Sequence, residues 1–262
     1  MAIRARILRY IRKSGDGEPH YGWLEGEEIA ALEGSPYGEF RRGLTVASLS
    51  EVTLLPPCEP SKIVCVGRNY AEHAREHGAE VPALPLIFLK PPSSLIGHEG
   101  VIHLPPQSQR VEHEAELAVV IGRRARLITP EQAADYILGY TVANDVTARD
   151  LQHSDGQWTR SKGFDTFCPL GPWIVTGLDP ADRVIYCEVN GHMRQMASTR
   201  DMVFSVPQLV AYISSVMTLE RGDVILTGTP SGVGPLASGD EVVVEVEGVG
   251  RLRNSVAAQT EP

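Results

Sequence analysis

No apolar run in this chain approaches the ~18 residues that a helix needs to cross a bilayer, and the opening M-A-I-R-A-R-I-L-R-Y has no signal-peptide core. No Lys/Arg-rich tract relieves a formal net charge of −9, which argues against nucleic acid or an anionic membrane as a partner. The four cysteines, Cys58, Cys65, Cys168 and Cys187, show no C-x-x-C spacing and no zinc-like pairing with histidines. They read as buried free thiols of a reducing compartment. Internal repeats and low-complexity tracts are absent as well. The Gly-rich stretch T-G-T-P-S-G-V-G-P at 227–235 lacks the Lys-Ser/Thr ending of a phosphate cradle, and no helical pattern follows it. These absences leave a cytoplasmic globular protein as the expectation.

What is present is β-rich. Alternating or short apolar runs bounded by turn residues predict strands at 3–10, 21–24, 27–32, 63–66, 86–89, 139–144, 173–177, 183–189, 223–226, 241–246 and 251–256. Asn190-Gly191 is a hairpin turn signal. Helical readings are fewer: a short one at 45–50, one at 71–78 closed by Gly78, one from Thr129-Pro130-Glu131 through 133–138, and one at 204–216. The polar segments 93–110 and 152–167 read as loops, the first with short extended pieces, the second with room for a short helix. Pro56, Pro57 and Pro60 mark a boundary. The expectation is therefore an α+β, β-rich chain with a small N-terminal domain at 1–57 and a main body at 58–262.

The most informative stretch is V-E-H-E-A-E-L-A-V-V-I-G at 111–122. Side chains on a strand repeat every two residues, so Glu112, Glu114, Glu116, Ala118 and Val120 share one face, and His113, Ala115, Leu117, Val119 and Ile121 the other. Three like charges in a row repel. A hard divalent cation such as Mg²⁺ or Mn²⁺ would relieve them, because such ions prefer oxygen ligands; a solvated edge strand is the plain alternative. On the helix at 71–78, His73, Glu76 and His77 can share one face, as either a functional set or a surface ion pair.

Several elements, in unbroken order, resemble the fumarylacetoacetate hydrolase superfamily. They are Gly67-Arg68-Asn69-Tyr70 with His73 and Glu76, Phe88-Leu89-Lys90-Pro91, His113-Glu114-Ala115-Glu116-Leu117, Asp145-Val146-Thr147-Ala148-Arg149-Asp150, Lys162, and Thr227-Gly228-Thr229-Pro230. The resemblance runs from about residue 57 to the C-terminus. It implies a mixed β-sandwich roll, a homodimer, and one divalent cation (Mg²⁺ or Mn²⁺) per subunit on Glu114, Glu116 and Asp145. That choice leaves out Glu112, which alternation alone does not exclude. It further implies that His73 and Glu76 form a dyad activating water, that Lys162 assists at a substrate oxygen, and that Arg68, Arg149, Gln152 and Thr229 line the pocket or hold a substrate carboxylate.

Relatives of this kind act on 2-oxo acids and their enols. A 1-carboxylate and a 2-oxygen can chelate one cation, which draws electrons toward the 2-oxygen. C–C cleavage, loss of CO₂ and proton shifts all build negative charge there, and a nearby Lys162 would stabilise it. The dyad permits hydrolysis without requiring it, since an isomerase needs only proton transfer. Arg68 and Arg149 suit a dicarboxylate, although either could simply pair with a neighbouring acid. The favoured expectation is a 2-hydroxyhepta-2,4-diene-1,7-dioate isomerase/decarboxylase of aromatic-acid catabolism, acting on a small 2-oxo acid. The alternatives are an acylpyruvate- or fumarylpyruvate-type C–C hydrolase or oxaloacetate decarboxylase and, from a different class, a non-catalytic metal-bound scaffold. An iron oxygenase would want two histidines and one carboxylate, and the strand offers carboxylates instead.

Overall fold

The computed structural model describes all residues except 1–3, 16, 77, 79 and 260–262. Residue 3, expected to open the first strand, and His77, expected on the helix face with His73, lie outside the described residues. The alternating segments become strands because each can pair its backbone along a neighbour while one side-chain row stays in a core. From edge to edge the largest sheet runs Phe40–Ser48, Glu28–Gly34, His20–Glu25, Arg6–Arg12, Cys168–Val175, Ile137–Asn144, Ala115–Ile121, Val224–Leu226, Ile63–Gly67 and Leu86–Lys90. Val52–Leu55 and Leu95–Ile96 attach to it at the side. Neighbours along this path are antiparallel except Val224–Leu226 and Ile63–Gly67, which run parallel. A five-stranded sheet (His192–Ser198, Val184–Val189, Glu241–Val246, Gly250–Ala258, Val101–Leu104) and a three-stranded one (Thr147–Ala148, Val111–His113, Gly234–Pro235) complete the β structure. The chain is thus an α+β, β-rich protein with an N-terminal domain and a main body.

The central strand Ala115–Ile121 is buried at every residue, which excludes the solvated edge reading. Its two faces serve two cores, as period-two alternation requires. Leu117, Val119 and Ile121 pack with Ile185, Cys187, Val244 and Leu252 of the five-stranded sheet. Ala118 and Val120 pack with Ile7, Ile63, Leu170, Ile174 and Leu226. Ile7 belongs to the N-terminal domain, whose first strand pairs with Cys168–Val175 in the register Ile7 opposite Ile174. The two parts of the chain share one sheet and one core.

Two helical expectations are corrected. Residues 45–48 continue the strand Phe40–Ser48, with Ala47 opposite Ile29 and Ser48 opposite Glu28, and only a single 3₁₀ turn, Leu49–Glu51, follows. Pairing satisfies that backbone before a helix can. The Thr129 start is real, with Pro130 in the first turn and Gln132 closing the capping box, but the element is a 3₁₀ helix that ends at Asp135. Ile137 already pairs with Ile121, so the sheet claims the remaining residues. The helix near the C-terminal third, Val206–Val216, forms as expected, and Asn190 and Gly191 take the positive φ (53° and 72°) of a tight hairpin turn.

Candidate active site

The site forms where strands part. Val111–His113 pairs in the three-stranded sheet, whereas Ala115–Ile121, one residue further on, pairs in the large one. Glu114 sits at the break. The neighbouring strand parts at the same level: Asn144 is its last residue, and its side chain accepts from Glu114 N at 2.9 Å. Asp145 N donates to Glu114 O at 2.9 Å. Acids on two strands are thereby turned into one space. Carboxylate oxygens of Glu114, Glu116 and Asp145, all buried, lie within 4.8 Å of one another.

The charges around this cluster nearly balance. Lys162 Nζ donates to Glu114 Oε2 and Asp145 Oδ2, both at 2.7 Å. Lys90 Nζ donates to Asp145 Oδ1 at 2.6 Å and to the Val146 carbonyl at 3.2 Å. Arg149 donates to Glu112 at 2.6 Å and to Glu114 and Gln152 at 2.5 Å. Glu112, with Arg110 at 2.6 Å on its other oxygen, is therefore bound up in ion pairs beside the cluster rather than within it. Glu116 makes no ion pair among the described residues; its partner is the Gly228 N–H, at 2.6 Å. Burial, together with the charges of Asp145 and Glu114, raises its pKa well above the usual carboxylate range. For Glu114 burial pulls the same way, but Lys162 and Arg149 outweigh it and hold the carboxyl well below that range. Three buried oxygen donors, one uncompensated and the other two bridged by an ammonium that stands in for a cation, fit a hard divalent ion.

These carboxylates open on a cavity of about 260 Å³. Its lining includes Arg68, His73, Glu114, Glu116, Asp145, Arg149, Gln152, Lys162 and Thr229. Of the ten residues to which the resemblance assigns a role, nine meet there. The tenth, Glu76, stands behind His73, with Oε2 3.4 Å from His73 Nδ1. Gly232 N–H approaches both Glu76 oxygens at 3.2 Å. Arg68 stands exposed at the rim in the left-handed region, at φ 61°. All three guanidinium nitrogens of Arg149 are engaged by protein oxygens, so in this structure it follows the alternative of pairing with neighbouring acids.

The Gly-rich segment at 227–232 does present N–H groups to anions, but the anions are protein carboxylates. Gly228 holds Glu116, and Gly232 holds Glu76. Thr227 anchors the segment through N and Oγ1, which donate to the Leu117 carbonyl at 3.1 and 2.8 Å. Gly228 has φ +99°, and a Cβ there would lie 2.7 Å from Asn69 Cβ, so only glycine can bring this N–H to Glu116.

Sequence reasoning gave several residues no role, although Phe88 and Lys90 stand in one of the quoted motifs. Lys90 ends an apolar strand, and its fully buried ammonium left no mark in the pattern. Phe88 and Trp158 line the cavity, their rings 5.0 Å apart edge to face, with Lys162 Nζ 5.2 Å from the Phe88 centroid. Gln195, on the exposed-looking strand His192–Ser198, is buried and bonded to both His113 and Thr229.

Comparison with known proteins concerns the part of the chain that carries this site. A family model described as fumarylacetoacetate (FAA) hydrolase, C-terminal, matches residues 62–257, and one described as Rv2993c-like, N-terminal, matches residues 6–57. The solved 2-hydroxyhepta-2,4-diene-1,7-dioate isomerase from Mycobacterium marinum is similar at 45% identity and a TM-score of 0.90, covering 98% of this chain and 100% of that one. Fumarylpyruvate hydrolase from Pseudomonas aeruginosa, solved with Mn²⁺ and pyruvate, is similar at 32% identity and a TM-score of 0.72, covering 79% and 92%. Oxaloacetate tautomerase FAHD2B, mitochondrial, from Bos taurus is 47% identical over 226 residues, 81% of this chain and 72% of that protein.

Proposed function

Because the chain belongs to the fumarylacetoacetate hydrolase superfamily, whose members are enzymes, we propose that it is a divalent-metal-dependent enzyme acting on 2-oxo or 2-hydroxy-dienoic acids. Within that class we favour 2-hydroxyhepta-2,4-diene-1,7-dioate isomerisation or decarboxylation. The observation that carries the reading is the meeting, around one small cavity, of three buried carboxylates, a buried lysine and a carboxylate-backed histidine. Glu114, Glu116 and Asp145 would hold Mg²⁺ or Mn²⁺. When bound, the cation supplies Lewis-acid polarisation of a 2-oxygen.

The chain's own groups supply the rest. His73 takes or returns a proton at the carbon or oxygen beside the polarised carbonyl, and Glu76 fixes the ring and stabilises its charged form. Lys162, cationic and buried, offsets charge developing on the ligand oxygen. With Arg149 committed to Glu112 and Glu114, a distal carboxylate falls to Arg68 at the rim. The favoured substrate has such a second carboxylate. By the same reading the protein works in the cytoplasm as a homodimer, with one cation per subunit and a small 2-oxo acid as its substrate.

A second reading, C–C hydrolysis of an acylpyruvate or conversion of oxaloacetate, draws on the His73–Glu76 pair, which suits an attacking water as well as a proton shuttle. Both are tested by assaying the dienoate, an acylpyruvate and oxaloacetate with Mg²⁺ and with Mn²⁺. Dienoate turnover is expected, with Lys162→Ala lowering it by about 10²–10³-fold and Glu116→Ala abolishing it. Pyruvate release from the acylpyruvate with an inert dienoate would reverse the order. Turnover unchanged in both variants would leave only the scaffold.

A further inference from the structure

Gln195 lies behind the cavity wall, 1% exposed, and all four hydrogen-bonding positions of its amide are used. Oε1 accepts from Ala115 N at 3.0 Å and faces His113 Nδ1 at 3.0 Å. Nε2 donates to the Pro230 carbonyl and to Thr229 Oγ1, both at 2.8 Å. The polarity of this network follows from its backbone members alone. The Ala115 N–H can only donate, so the atom facing it is the amide oxygen. The Pro230 carbonyl can only accept, so the atom facing it is the nitrogen. His113 must then carry its proton on Nδ1. Thr229 Oγ1 must be the acceptor in its bond to Gln195, which leaves the hydroxyl proton for another partner. Among the described residues no protein oxygen receives that proton, and Thr229 lines the cavity beside Glu116 and Asp145.

Resting on the reading of the site given above, we propose that Gln195 is a positioning residue that locks the Thr229 hydroxyl as a hydrogen-bond donor into the cavity, aimed at an anionic oxygen of the bound 2-oxo acid. A threonine hydroxyl left to itself turns to donate or accept as its neighbours require. Here the amide forbids one of the two roles. The cavity already holds three acids, so a hydroxyl turned to accept would add another electron-rich oxygen facing an anionic ligand. Fixed as a donor, it is one of the few neutral groups of the wall that favours a carboxylate or enolate oxygen over water. The network also ties the strand carrying the acids (Ala115) to the Gly-rich segment (Pro230), so the donor keeps its place relative to Glu114 and Glu116.

The test uses oxalate as probe, a small dianion with the two-oxygen bite of an enolised 2-oxo acid, titrated calorimetrically into the full chain with saturating Mg²⁺ or Mn²⁺. Gln195→Glu keeps the shape and the Ala115 bond but presents only acceptors, so the Thr229 hydroxyl must turn and donate to it. A bond from a neutral donor to a charged acceptor is strong enough that its loss is expected to weaken oxalate about ten- to a hundred-fold. Thr229→Val should weaken it similarly, and Thr229→Ser should bind as the natural chain does. The deciding measurement is the double variant, Gln195→Glu with Thr229→Val, which should be no weaker than Thr229→Val alone. Should Gln195→Glu not fold, Gln195→Met, which removes the amide donor without adding charge, takes its place in the same cycle. Oxalate binding unchanged in the Gln195 variant, or a loss that persists in full on the Thr229→Val background, overturns the proposal, the latter marking charge repulsion or distortion. A natural chain that binds no oxalate with either metal overturns the reading of the whole site and this inference with it.

Discussion

Lys90 and Lys162 show how much a single buried charge decides. Each is in the interior, and each holds an oxygen of Asp145. An ammonium taken out of water is retained only with such partners, and removing one member of a buried pair strands the other. Lys90→Met leaves Asp145 with Lys162 but one buried oxygen without a donor, so it is expected to cost about 1–3 kcal/mol in urea unfolding. Arg110→Ala should cost less than about 1 kcal/mol, because Arg110 is mostly exposed and Glu112 keeps Arg149. The buried thiols give a pH prediction. Burial pushes Cys168 up to about 12, against the pull of Lys90. A thiol raised in the fold contributes stability fully present below its ordinary value of 9.0 and lost as pH rises through about 12. Native protein at pH 8 should be silent to a thiol reagent, all four cysteines reacting only after unfolding; urea midpoints should fall as pH climbs above 9.

Among the elements, the Gly-rich segment and the parted strands matter most. Gly232 has φ +93°, and a Cβ there would lie 2.2 Å from the Arg194 carbonyl oxygen. Gly232→Ala must move this backbone, and with it the N–H that holds Glu76. It is expected to lower Tm and, through loss of the His73 orientation, kcat. The control is Gly239→Ala, at φ +95° with no atom near the added carbon. It should cost only about 1 kcal/mol of backbone strain and leave kcat alone. Equal kcat in both variants would detach the segment from the histidine.

At the scale of the whole molecule, a cation held by Glu114, Glu116 and Asp145 would bind the folded chain and not the unfolded one, and so stabilise the fold by mass action. Mg²⁺ or Mn²⁺ at a hundred times its Kd should stabilise the fold by about 2.7 kcal/mol, a Tm rise of roughly 5–10 °C for a chain of this size. Differential scanning calorimetry should show that rise in the natural chain and not in Glu116→Gln. A single transition is expected, since the N-terminal strands continue the sheet of the main body through Cys168–Val175.

Much of this protein was written into local pattern. Alternation at 111–122 separated two faces, and these became two different cores. The family resemblance assigned roles to ten residues, and nine of them line one cavity. The cysteines, too far apart in kind and spacing for a framework, are buried and free. Period two, however, fixes only which side a residue faces and not what it meets there. Folding decided that Glu112 pairs with arginines while Glu114 joins Glu116 and Asp145, because the strands part at Glu114 and not a residue earlier. It also decided that Arg149 is engaged by acids, that Lys90 is interior, and that Gln195 reaches Thr229 from a distant strand. The contacts of Arg149 with Glu112 and Glu114, of Lys90 with Asp145 and of Gln195 with Thr229 join partners dozens of residues apart, brought within 3 Å only by the sheet order.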